Sequence, residues 1–102
     1  QTWRRNAVPE VRFRVRWPDH QQTLCYSPSS TIKDALRLNH PYGVSEFVQR
    51  CTAALEHASA RVAQKYGMGC GQALAQITVI QSRARPFMDD PDARITVEHF
   101  ED

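Results

Sequence analysis

The chain has no apolar run approaching the ~20 residues that a membrane-spanning helix needs, so no such span is expected. Nor does it have CxxC, HxxxH or HxxE spacing among Cys25, Cys51, Cys70, His20, His40, His57 and His99, the spacings on which zinc sites are built. Cys51 and His57 stand six apart and so point to different faces of a helix. No metal and no cofactor is therefore expected. There is no Ser-His-Asp order, no carboxylate pair and no cofactor fingerprint, which argues against a self-contained enzyme. No repeat or low-complexity linker marks a second domain. The formal net charge is only +2, too small to argue by itself for nucleic acid or an anionic membrane. Gln1 to Val8 is basic but has no apolar stretch after it, so no secretory signal is expected. Three cysteines at scattered positions suit a reducing cytoplasm better than a disulfide frame.

What is present is an ordinary globular composition over 102 residues, 41% hydrophobic and 24% charged. A chain of that size buries roughly 65% of the surface it exposes when unfolded, enough for one core. Residues 1–8 show no period and read as a mobile arm. Residues 9–102 read as a single α+β domain.

The strongest signal is Ser45 to Tyr66. Val48, Cys51, Leu55, Ala58, Val62 and Tyr66 recur at steps of three and four, one continuous stripe on a helix. Ser45 is the expected N-cap, Glu46 and Arg50 an i,i+4 pair, and Gly67 the C′ residue. The clearest strand is Val11 to Trp17, where Val11, Phe13, Val15 and Trp17 alternate with Arg12, Arg14 and Arg16. Such alternation gives one dry and one wet face, an antiparallel habit. Pro18-Asp19-His20 is a turn, and Gln22 to Tyr26 is the hairpin partner, read with Cys25 inward. Thr31-x-x-Asp34 suggests a capping box opening a short helix. Asn39 to Gly43 reads as a loop. Ala73, Leu74, Ile77, Ile80 and Ala84 mark a second helix over about 70–84, stopped by Pro86. Arg94 to Phe100 reads as a last strand pairing beside the first. The fold expected is a three-stranded antiparallel sheet in β-β-α-α-β order, with a helical hairpin on one face. The long helix should outrun so small a sheet.

Three features bear on function. Cys70 lies between glycines at a helix start, where unpaired N–H groups lower a thiol pKa; the structural alternative is a small buried hydrophobe. Gly69, Cys70 and Gly71 could cradle an anion with backbone N–H groups, although no Gly-Lys-Ser/Thr follows. The Arg12, Arg14, Arg16 face could grip an acidic partner or phosphates. No aromatic shares that face to stack on bases, so nucleic acid ranks below a subunit-facing or solvated stripe.

The runs PEVRFRVRWPD, CYSPSS, KYGMGCGQAL and PDARITVEHFE together resemble a small bacterial nitrogen starvation response family, first noted in mycobacteria. The resemblance covers about Val8 to Glu101 and carries over no catalytic or binding residue. It implies encoding beside a nitrilase and a radical-SAM protein, in a cluster for nitrile or cyanide assimilation or a related biosynthesis. The reading is a non-enzymatic accessory protein, homodimeric and in contact with an enzyme of that cluster. The alternatives are a small thiol enzyme or carrier using Cys70, and a nucleic-acid-binding regulator using the arginine face.

Overall fold

The computed structural model describes residues 10–66 and 71–101, the side chains of 61–66 excepted. The proposed arm at 1–8 and the corner holding Gly67, Gly69 and Cys70 lie outside the described residues.

Strict alternation makes Val11–Arg16 a strand, β1. Val11, Phe13, Val15 and Trp17 are buried, and Arg12 and Arg14 are exposed. Gln22–Ser27 is β2, paired antiparallel with β1 so that Phe13 faces Cys25 and Arg14 faces Leu24. The turn between them is a three-residue loop. The Trp17 N–H donates to Gln21 O at 2.9 Å and the His20 N–H to Trp17 O at 2.8 Å. His20 takes φ 70°, the left-handed residue that closes a type I hairpin loop without splaying the strands. Cys25 points inward as read from the sequence and is 1% exposed, whereas Leu24 on the other face is 51% exposed.

Thr31–Ala35 forms the short helix α1. The capping box expected there does not form. Ser30 occupies the N-cap position without a side-chain cap bond, and the Thr31 N–H is taken instead by Ser29 Oγ at 3.2 Å. Ser27 Oγ donates to Ser29 O at 2.7 Å, so this serine turn satisfies its own buried polar groups.

The stretch read as a loop contains a fourth strand, β3, Tyr42–Gly43, so the predicted three-stranded sheet is corrected to four strands in the order β2-β1-β4-β3. Two residues carry no detectable period, and Pro41 and Gly43 read as breakers. The strand exists because Tyr42 inserts its ring into the core, 2% exposed. The Tyr42 hydroxyl accepts the Arg37 N–H at 2.8 Å. Arg50 lies over the ring, 5.3 Å from its centroid, and also donates from Nη1 to Ala35 O at 3.1 Å.

The long helix α2 spans Val44–Tyr66. It begins one residue before Ser45, so Ser45 lies in its first turn rather than at the N-cap. Cys51, Leu55 and Ala58 of the predicted stripe are buried at 0% exposure. Val48 is partly buried, and the side chains of Val62 and Tyr66 lie outside the described residues. Phe47, absent from that stripe, is fully buried, edge-on to Trp17 at 5.9 Å. The Glu46–Arg50 pair forms at 2.9 Å. At 23 residues, α2 is ~35 Å long, against ~27 Å for the eight-residue β4.

Helix α3, Gly71–Ala84, buries Ala73, Ile77, Ile80 and Ala84, while Leu74 is 50% exposed and off the core face. Pro86 lies in a single 3-10 turn, Arg85–Phe87. Arg94–Glu101 is β4, and it pairs with β1 as expected, making the arginine strand central. The core lies between the apolar sheet face and α2 and α3.

Leu55→Ala is expected to cost ~2–5 kcal/mol as a large-to-small change at a buried site, and Leu74→Ala less than about 0.5 kcal/mol as a surface change. Urea melts of the two variants check this; equal losses would show that the helix faces are wrongly assigned.

Candidate functional site

The arginine face is the sheet surface opposite the helices. Its geometry depends on an irregularity in β4. The β1–β4 register shifts between Arg14, which faces His99, and Val15, which faces Val97. One extra residue, Glu98, therefore stands in β4, and such a bulge re-aims side chains. Val97 remains in the core, Phe100 returns to pack against it, and Glu101 joins Glu98, which plain alternation already places there, on the arginine side.

The consequence is a charge-paired surface rather than a cationic one. Arg16 Nε donates to Glu98 Oε2 at 2.6 Å. Gln22 Nε2 donates to Glu98 Oε1 at 3.0 Å, so one carboxylate ties together β2, β1 and β4. Arg14 lies 3.7 Å from Glu101, and Arg12 lies 3.8 Å from Glu10. These arginine side chains are 38–52% exposed, so each pair adds at most ~1 kcal/mol to stability. A phosphate approaching the stripe would compete with a carboxylate at each of its three arginines, which weakens the phosphate-gripping reading.

Sequence reasoning missed the carboxylates on this face. A signal was available: Ile95 and Val97 keep the two-residue period, but the next apolar residue, Phe100, breaks its parity, as one inserted residue does. It also missed Arg83. That guanidinium lies over the Trp17 ring at 5.5 Å and donates from Nη2 to Gln21 Oε1 at 3.2 Å. Its Nε is buried without a hydrogen-bond partner among the described residues. Trp17 Nε1 in turn donates to Thr23 Oγ1 at 3.0 Å, so Arg83, Trp17 and Thr23 anchor the hairpin to the end of α3.

Of the glycine corner, Gly71 is described as the first residue of α3. A Cβ there would meet nothing within 4 Å, so close packing does not require glycine at that position. Gly69 and Cys70 lie outside the described residues. The structure does bring Arg12 toward the first turns of this helix. A cleft of about 410 Å³ is lined by Glu10, Arg12, Tyr26, Gln72, Ala75 and Gln76, and Gln76 Oε1 accepts the Tyr26 N–H across it at 3.0 Å. Arg14 is not among those lining residues. Arg16 instead lines a second open cleft of about 400 Å³ at the other end of the sheet, beside His20, Asp90 and Arg94.

Among the described residues, no group of three or more His, Cys, Asp or Glu is gathered as a metal ion would need. Cys25 and Cys51 are buried, unbridged thiols. Burial pushes the Cys25 thiol up to about 12, against a smaller opposing pull from Arg83. Burial, and then the proximity of Cys25, pushes Cys51 well above the ordinary thiol value. Neither thiol offers a nucleophile at neutral pH.

The elements thus define a small α+β protein whose four-stranded antiparallel sheet is covered by helices on one face and ion-paired on the other. By its sequence the chain belongs to the family of nitrogen starvation-induced protein NitG, whose model matches residues 12–100. No curated protein and no solved structure matches it. No helix among the described residues is long and apolar enough to cross a membrane.

The buried thiols generate a pH dependence. Their folded pKa values lie above the ~8.5 of an unfolded thiol, so the unfolded chain loses these protons first. Stability is full below about pH 8.5 and falls as pH rises toward 12, by up to about 1.4 kcal/mol per pH unit for each thiol. Urea melts from pH 8 to 11 should fall more steeply for the native chain than for Cys25→Ala/Cys51→Ala. Parallel slopes would mean that the two thiols ionise in the folded protein as freely as in water.

Proposed function

We propose that the chain is a non-enzymatic accessory protein of nitrogen-limited metabolism that works by contact with other protein chains. Those chains are a second copy of itself and an enzyme of a nitrile- or cyanide-assimilating, or related biosynthetic, gene cluster. It acts in the cytoplasm. The family supports the link to nitrogen starvation. The observation that carries the contact reading is the open sheet face. Arg12, Arg14, Arg16, Glu98, Glu101 and the half-exposed Leu24 form a firm, patterned surface on a rigid sheet. A sheet held in register presents such groups at fixed spacing, as a protein interface requires.

The test is affinity capture from nitrogen-limited cells with the full chain as bait. Recovery of a cluster enzyme is the expected outcome. If the purified protein alone turned over a nitrile-derived metabolite, the accessory reading would fall and a catalytic one would replace it.

A further inference from the structure

The open face carries charge of both signs, most of it in two rows, with Glu10 beside Arg12 at one end of the β1 row and Arg94 at the start of the β4 row. The arginines stand on β1 at every second residue, and Glu98 and Glu101 stand on the adjacent β4. Register places Arg12 opposite Glu101, Arg14 opposite His99 and Arg16 opposite Thr96, so the acidic row flanks the basic row along its length.

Two such faces can meet in few ways without setting like charge against like. A two-fold axis along β1, or across the strands, lays arginine over arginine. A two-fold axis parallel to the strands and midway between β1 and β4 exchanges the rows and keeps each residue at its own height. Arg12 of one copy then lies over Glu101 of the other. Arg14 lies over His99, between Glu98 and Glu101, and Arg16 lies over Thr96, between Glu98 and Arg94, whose guanidinium is turned back onto the Pro91 and Ala93 carbonyls. Each guanidinium already has a carboxylate beside it in its own chain and gains a second from across the interface. This is the self-complementarity that an isologous contact requires.

We propose that the open sheet face is a homodimer interface, formed by packing two copies face to face about this axis. The inference rests on the contact function above and assigns the face to the second copy, leaving the cluster enzyme to other surfaces. Strands ~4.8 Å apart and ~20 Å long give each face roughly 300–400 Å² in projection. Two such faces fall below the ~1,200 Å² typical of tight complexes. The dimer is therefore weak, with a dissociation constant on the order of tens to hundreds of micromolar. It is also salt-sensitive, since exposed charges are screened within ~8–10 Å at physiological ionic strength.

The test uses two faces, each dominated by one sign. Arg12→Glu/Arg14→Glu makes the face acidic, and Glu98→Arg/Glu101→Arg makes it basic. Analytical ultracentrifugation of the full chain up to about 500 μM should show a monomer–dimer equilibrium for the native protein, weakened at least fivefold by about 0.5 M salt. Each reversed variant should remain monomeric alone, and the two mixed in equal amounts should form a heterodimer. A native chain that stays monomeric overturns the inference, as does a reversed variant that dimerises like the native chain, or a mixture that does not associate. Should a reversal prevent folding, as judged by circular dichroism, the milder pair Arg14→Gln and Glu101→Gln replaces it. Each should then weaken the dimer severalfold, and no weakening counts against the interface. Capture of a cluster enzyme by a chain that does not dimerise would sink this inference and leave the accessory function standing. A dimer that captures no enzyme would do the reverse.

Discussion

The burial of one side of β1 is the constraint to which the rest of the molecule is fitted. Val11, Phe13, Val15 and Trp17 are all at most 2% exposed, and they sit on the central strand, with β2 on one flank and β4 on the other. The two-residue period of a strand then forces Arg12, Arg14 and Arg16 to the opposite side. A one-residue slip would exchange three guanidinium groups for the apolar row inside the core, so the register is strongly specified. Phe47, Cys51 and Leu55 of α2 and Ile77 and Ile80 of α3 supply the other half of that core. The arginine surface is thus a geometric consequence of the core pattern, and what is left for β4 to determine is which groups stand beside it.

Much of this architecture is legible in the residues because periodic burial leaves a periodic trace. The alternation in Val11 to Trp17, the stripe at Cys51, Leu55 and Ala58, the helix at Ala73 to Ala84 and the pairing of the last strand beside the first all follow from spacing. The elements that were not legible are those whose cause is non-local. Tyr42 makes a strand because its ring enters a core formed by residues distant in sequence, and its local neighbours, Pro41 and Gly43, argue the other way. Phe47 stands four residues before Cys51, on the same helix face, and takes the buried place that the stripe assigned to Val48, which is only partly buried. Thr31 and Ser45 have the right chemistry for caps. At Thr31 the competing partner is the neighbouring serine turn; at Ser45 the helix begins one residue earlier.

The candidate site shows the same division. The spacing of Arg12, Arg14 and Arg16 places them on one face without ambiguity. It does not say that the face is balanced by Glu98 and Glu101, because Glu98 depends on which strand lies alongside and Glu101 on the bulge as well. A run of like charge in a strand is therefore an incomplete statement of the potential at a sheet surface. Gly69 and Cys70 lie outside the described residues; in the helix that follows them, the cleft sets Gln72 and Gln76 beside Arg12.

The hydrogen bond from the Tyr26 amide to Gln76 has a consequence for assembly. β2 is an outer strand of the sheet, and a helix side chain occupies one of its outward-pointing amides. At the other margin β3 is only two residues long. A long row of free donors and acceptors would invite strand after strand to add without limit, the route to fibres. With one margin interrupted and the other abbreviated, addition along the sheet is discouraged. A contact through the open face, as proposed, would then be filled by a single partner and close at a finite size.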